Sequence, residues 1–171
     1  MVSHRVSSLG DNIKRIFEIL EDDARATPEQ ISTMLGIPVS KVEETIKKAE
    51  QARAILKYKT IIDWPKLGKE EVWALIEIRV TPQRDRGFDA IAERIYSFPQ
   101  VYSAYLVSGT YDLAILVRVK NMQEVSSFVT EKLAPLEDVQ STVTHFFLRR
   151  YKADGEITEP PEEFKRLPIT L

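Results

Sequence analysis

Two rhythms of apolar residues divide the chain. Between 11 and 20, Ile13, Ile16, Phe17 and Leu20 return at the spacing of one helical face, with Lys14, Arg15 and Glu18 between them. That pattern predicts a helix of about three turns. A second helix is predicted to open at Thr27-Pro28-Glu29-Gln30, where threonine caps, proline suits the first helical position and glutamine completes a capping box. Gly36 ends it. Ser40-Lys41-Val42-Glu43 has the form of another capping box, opening a third helix whose buried side is Val42, Ile46 and Ala49. Two capped helices joined by Gly36-Ile37-Pro38-Val39 make a helix-turn-helix. The β-branched, aromatic and basic mixture at 54–62 predicts a short hairpin, a wing, and the proline and glycine of 63–68 mark a connector.

Beyond the connector, strand-like segments alternate with helical ones. In 72–80 one parity is Ala74, Ile76, Ile78 and Val80, and the other is Trp73, Leu75, Glu77 and Arg79. Phe88, Ile91, Ala92, Ile95 and Phe98 follow helical spacing, and 101–107 returns to strand composition. Ser108-Gly109-Thr110-Tyr111-Asp112 interrupts the apolar run before 113–119 resumes it, which predicts a hairpin with a tight connection. Met122, Val125, Phe128, Val129 and Leu133 form another helical stripe, and a last strand is expected over 142–151. The order β-α-β-β-α-β is that of a ferredoxin-like sheet with both helices on one side. The expected fold class is therefore α+β: an N-terminal winged helix-turn-helix over 1–62, a linker over 63–69, a ferredoxin-like βαββαβ domain for assembly and effector binding over 70–152, and an extended tail over 153–171. With helices on one side, the opposite face carries Trp73, Leu75, Tyr102, Leu106 and Phe147, too apolar for open water, and dimerisation is the simplest remedy.

Composition narrows the chemistry. At 171 residues, 43% hydrophobic and 29% charged, the chain can build one large or two small cores. It has no cysteine, which excludes disulfides and thiolate metal sites, and its two histidines are too few for an all-histidine zinc centre. No metal, cofactor or catalytic residue is called for: there is no glycine-rich phosphate loop and no nucleophile elbow. The longest apolar runs are strand-sized and residues 1–11 lack a signal core, so the expected location is cytoplasmic, with no membrane partner. The net charge of −2 means that any grip on nucleic acid must come from a local patch. Residues 1–60 hold ten Lys and Arg against nine Asp and Glu, and the remainder holds 14 against 17, a weak asymmetry in the right direction.

A helix-turn-helix followed by βαββαβ, with Gly109-Thr110-Tyr111-Asp112-Leu113 at the central hairpin and Thr142-Val143-Thr144 leading the last strand, resembles the Lrp/AsnC family of feast-or-famine regulators over residues 9–152. The helix-turn-helix is less similar: the family commonly carries arginine before isoleucine in the recognition helix, and here Thr45 precedes Ile46. The resemblance implies a sequence-specific transcription regulator that binds double-stranded DNA. It also implies a homodimer built through the C-terminal domains, assembled further into octamers, with an amino-acid effector bound between dimers near the hairpin.

Candidate sites follow from this organisation. If the third helix enters the major groove, Ser40, Lys41, Thr45, Lys47 and Lys48 face bases and phosphates; the plainer alternative is a solvated helix face. Lys57 and Lys59 share a strand parity and could meet one phosphate backbone, or merely protect a strand edge. Thr27 and Gln30 stand at a helix N-terminus suited to phosphate, although capping is the commoner use. At the hairpin, Asp112 is either an acceptor for an ammonium or a carboxylate satisfying turn amides, and the amides of Gly109 and Thr110 could hold a carboxylate. By resemblance the effector site comprises Ser108, Gly109, Thr110, Tyr111 and Asp112, with Thr142 and Thr144 adding hydroxyls. His145 reads as structural. Two alternatives remain at this level. One is an enzyme resembling the siroheme decarboxylases of the same architecture, recruiting Arg118, His145, Arg149 and Arg150; the other is an effector-binding adaptor without DNA binding.

Overall fold

The first helix extends well beyond its apolar stripe: α1 runs Ser3–Asp22, in a computed structural model that describes residues 3–82 and 87–158. Two shorter helices follow, α2 (Pro28–Leu35) and α3 (Val39–Gln51). The capping box at the start of α2 is formed: the Gln30 N–H donates to Thr27 Oγ1 at 3.3 Å, and the Thr27 N–H donates to Gln30 Oε1 at 2.8 Å. Gly36 ends α2 at φ 64°, a left-handed conformation that glycine adopts without a Cβ penalty. Ile16, Leu20, Ile31 and Val42 form the buried core of this first compact unit, Met1–Ile61, with Phe17, Leu35 and Ile46 packed around it.

Three expectations for this unit need correction. The helix α3 begins one residue before Ser40, with Pro38 in the cap position and no side-chain cap hydrogen bond, because proline fixes φ at −58° and leads the chain straight into the helix. Ser40 is therefore a first-turn residue and not a cap. Thr45, expected to face DNA, is buried; its hydroxyl donates to the Lys41 carbonyl at 2.7 Å, which satisfies the polar atom within its own helix. The inward side of α3 is accordingly Val42, Thr45 and Ala49, with Ile46 only half-buried. The third correction concerns the wing: no strand forms over 54–62. That stretch contains no Gly, Asn, Asp or Pro to supply a tight hairpin turn. It is tied back instead by the Tyr58 hydroxyl, which donates to Glu50 Oε1 at 3.0 Å.

The second compact unit, Ile62–Leu171, opens with a single 3₁₀ turn, Pro65–Leu67, in the connector. Its elements are β1 (Val72–Val80), α4 (Asp89–Tyr96), β2 (Val101–Leu106), β3 (Leu113–Val119), α5 (Met122–Phe128, continued by a π turn Val129–Leu133) and β4 (Val139–Phe146). The strands form one antiparallel sheet in the order β2-β3-β1-β4, the ferredoxin-like arrangement. Alternation puts Ala74, Ile76, Ile78 and Val80 of β1 and Leu113, Ile115, Val117 and Val119 of β3 on one face, where they pack with Ile91 and Ile95 of α4 and Val125 and Phe128 of α5. Burying such side chains contributes about 1.5–3 kcal/mol each, which sets the register, since a one-residue slip would expose the whole set.

The opposite face presents Trp73, Tyr102, Leu75, Glu77 and Arg118. Tyr102 meets Trp73 edge-on at 4.9 Å between centroids, with the Arg118 guanidinium over both rings. Leu106 does not join this face as expected. The register shifts between Val101 and Ser103, so Tyr102 is an extra residue and the parity beyond it reverses: Tyr105 pairs with Ala114, and Leu106 with the buried Leu113. The last strand is displaced from the expected 142–151 and ends at Phe146. The chain then forms a small hairpin, β5 (Lys152–Ala153) with β6 (Glu156–Ile157), where an extended tail was expected. Asp154 and Gly155 turn it at φ 48° and 90°, the positive values a two-residue hairpin requires. The acidic-proline segment 159–163 lies outside the described residues.

Candidate nucleic-acid interface and effector hairpin

With 100° between successive residues, the side of α3 opposite Val42 and Ala49 carries Ser40, Glu44, Lys47 and Gln51, and Lys41 and Lys48 stand on one shoulder. Ser40, Lys47 and Lys48 are exposed and Lys41 is partly so. Four of the five expected α3 residues thus share the accessible surface, and Thr45 does not. Glu44 sits among them: its carboxylate accepts from Lys48 Nζ at 2.6 Å and from Lys41 Nζ at 3.4 Å. The Lys48 ammonium, followed by that of Lys41, holds the Glu44 carboxyl below the usual carboxylate range, so it stays ionised near neutral pH. One carboxylate therefore neutralises two of the three lysines in the absence of a stronger anion, and Lys47 stands apart from that clamp.

Lys57 and Lys59 are exposed on the irregular segment after α3, without the strand parity expected of them. Thr27 and Gln30 spend their side chains on the capping box. That leaves phosphate binding at this helix start to backbone amides.

In the second unit the hairpin between β2 and β3 is pinned to the end of β1. The Asp112 N–H donates to the Ile78 carbonyl at 3.1 Å, Asp112 Oδ2 accepts from the Val80 N–H at 2.9 Å, and the Val107 N–H donates to the Asp112 carbonyl at 2.9 Å. The plainer role for Asp112, satisfying backbone amides, is therefore filled by one of its two carboxylate oxygens. Removing that acceptor leaves the Val80 N–H without its partner, and Asp112→Ala is expected to lower stability by about 1–3 kcal/mol in a denaturant titration, with Asp112→Asn largely restoring it. Gly109, at φ 155°, occupies backbone space that side-chain-bearing residues rarely enter. Ser108, Gly109 and Thr110 are exposed, and Tyr111 and Asp112 are half-buried.

Thr142 and Thr144 pair with Ile78 and Ile76 and so lie on one side of β4, the helix-covered side, half-buried. Thr142 and Asp112 flank Ile78 from the two neighbouring strands, about 10 Å apart by strand spacing. The sequence reading missed Arg79, whose guanidinium donates to the Thr110 carbonyl at 2.7 Å and lies over the Tyr111 ring at 5.9 Å. Its position at the end of the strand facing the hairpin was readable only once β1 and β3 were paired. His145 has a partner that linear spacing hid, Glu77 Oε2 at 3.1 Å across the strand pair. Among the described residues no group of three or more His, Asp or Glu could hold a metal ion, and no helix is long and apolar enough to cross a membrane.

Comparison with known proteins gives the same division of the chain. Residues 9–55 match the sequence model described as winged helix-turn-helix DNA-binding, and residues 73–157 match the Lrp/AsnC ligand binding domain. The chain is 46% identical over 156 residues to the uncharacterized HTH-type transcriptional regulator YugG of Bacillus subtilis, covering 91% of this chain and 94% of that protein. It is 29% identical to the HTH-type transcriptional regulator FL11 of Pyrococcus furiosus, over 87% of this chain and 95% of that one. Among solved structures, Escherichia coli AsnC aligns with a TM-score of 0.68 at 21% identity, covering 87% of this chain and 97% of its own. The regulator NMB0573 of Neisseria meningitidis, solved as an L-Met complex, aligns with a TM-score of 0.68 at 22% identity, covering 83% and 90%. These sequence matches set the decarboxylase alternative aside. The chain belongs to the Lrp/AsnC family: it is a DNA-binding transcription regulator with a ligand-binding domain, and not an enzyme.

Proposed function

We propose that the protein is a cytoplasmic, sequence-specific regulator whose homodimer, built through the C-terminal domains and capable of assembling further into octamers, presents two copies of α3 to a pseudo-palindromic site. The observation that carries this reading is the accessible side of α3, where Ser40, Lys41, Lys47 and Lys48 surround Glu44 while Val42, Thr45 and Ala49 anchor the helix to its core. Lys57, Lys59 and the start of α2 add phosphate contacts. The open sheet face of Trp73, Tyr102 and Leu75 supports dimerisation, since that much aromatic surface is costly to leave in water.

The effector is an amino acid held near the hairpin by Ser108, Gly109, Thr110, Tyr111 and Asp112, with Thr142 and Thr144. The free Asp112 oxygen takes the ammonium and the hairpin amides take the carboxylate. The L-Met complex of the structural neighbour supports the ligand class. Effector binding then biases how dimers assemble, and through that the DNA geometry.

A mobility-shift titration on the protein's own promoter region, at stated salt, tests the reading. Sequence-selective retardation is expected, and its absence on that and every genomic fragment would overturn it. The Glu44 clamp adds a sharper outcome. Glu44→Gln releases Lys41 and Lys48 and removes one repulsive charge, so non-specific affinity should rise roughly three- to tenfold at low salt, with a steeper salt dependence. Binding to random-sequence duplex across a salt series checks this.

A further inference from the structure

We propose that Glu44 is a base-reading residue of α3, accepting a hydrogen bond from a cytosine amino group in the major groove; this rests on the regulator reading above. At 100° per residue, Ser40, Glu44, Lys47 and Gln51 fall within about 60° of arc, on the side of the helix most remote from Val42 and Ala49. All four are exposed. The helix therefore cannot turn this stripe toward a duplex without carrying the Glu44 carboxylate into the groove with it.

A carboxylate in that place is repelled by the phosphates unless something answers it. Part of the answer is local: Lys48 Nζ stands 2.6 Å from Glu44 Oε1 and Lys41 Nζ 3.4 Å from Oε2, and Lys47 lies on the same stripe. Three lysines against one glutamate leave the cluster cationic. Ion pairs this exposed are weak, so phosphates draw the two lysines away as the duplex docks. Each lysine engages a different oxygen, and their departure frees both oxygens of Glu44 for a donor.

The groove decides which base supplies that donor. Cytosine N4 and adenine N6 are the amino groups a major groove presents. Adenine sets its N7 acceptor beside the amino group, which suits a carboxamide and repels a carboxylate, whereas the cytosine edge presents the amino group alone. An ionised carboxylate therefore selects cytosine. The Lys48 ammonium, followed by that of Lys41, holds the Glu44 carboxyl below the usual carboxylate range, which keeps it in that acceptor form. The plainer role, a helix-stabilising pair at i,i+3 and i,i+4 on a solvated face, uses the same contacts and gives no base preference.

Selection of bound duplexes from a randomised pool by the full chain, followed by affinity measurements on single-base variants of the selected site, separates the two. A cytosine is expected at one position of each half-site, and its replacement should weaken the parent roughly tenfold. Glu44→Gln should select adenine at that position and Glu44→Ala no base in particular, both keeping the parent's preferences elsewhere. Putting 2-pyrimidinone, which lacks the amino group, in place of that cytosine should weaken the parent more than it weakens Glu44→Ala. Retained binding of both variants to random-sequence duplex shows that they are folded. If both select the parent's site with undiminished preference at every position, Glu44 is only an ion-pair partner and the proposal is overturned while the regulator reading stands. If the parent itself selects no sequence, the regulator reading fails and this proposal falls with it.

Discussion

Ile31→Ala is expected to abolish DNA retardation by unfolding the first unit while the sheet of the second remains intact. Ile31 is fully buried and, among the described residues, shares its core cluster with three other buried side chains, Ile16, Leu20 and Val42. Truncation of a buried isoleucine costs about 2–5 kcal/mol, including the cavity it leaves. A unit of this size holds on the order of 3–9 kcal/mol in total, so the loss consumes much of its stability. Melting of the helical signal should fall by about 10 °C or more. Leu56→Ala, at a side chain 79% exposed in the same unit, should shift it by no more than a degree or two and leave DNA binding in place. Circular dichroism melts of the two variants, read beside a mobility shift at the same temperature, check the pair. Retention of full DNA affinity by Ile31→Ala would show that the helix-turn-helix core does not carry the interface.

The second large effect belongs to the lysines. Lys41→Ala, Lys47→Ala and Lys48→Ala together leave the buried side of α3 untouched, so folding should be preserved. If each lysine meets a phosphate, the slope of log affinity against log salt should fall by about 2–3, and affinity at moderate salt by roughly one to two orders of magnitude. Lys47→Ala alone should exceed Lys41→Ala alone, because Lys41 is already paired with Glu44 whereas Lys47 stands apart from that clamp. Equal salt slopes for the parent and the triple variant would remove α3 from the interface.

How much of this was legible beforehand depends on whether a residue's role is local or set by distant pairing. The capping box at Thr27 and the strict alternation of 72–80 and 113–119 are decided within a few residues, and both are present as expected. Thr45 misled because a hydroxyl reads as polar, whereas in a helix it can satisfy itself on the carbonyl four residues back and then be buried. Leu106 misled because one extra residue in β2, Tyr102, reverses the parity after it, and nothing local announces a bulge. The hairpin at Asp154-Gly155 is different: its turn dipeptide was in plain view, but its flanking strands of two residues each carry too little alternation to stand out. The Arg79 contact to Thr110 and the His145 contact to Glu77 join positions 31 and 68 apart, which only the folded sheet brings together.

Both outermost strands of the sheet are interrupted, β2 at Tyr102 and β4 at Gln140, where the register against β1 slips between Arg79 and Val80. An uninterrupted outer strand is a template on which a foreign strand can add without limit, the first step toward fibrous aggregates. Kinks on the two flanks deny such a newcomer a straight ladder of amides and carbonyls. Growth by strand addition is thereby blocked in both directions. The proposed association through the sheet face would thus leave both edges protected from runaway polymerisation during synthesis.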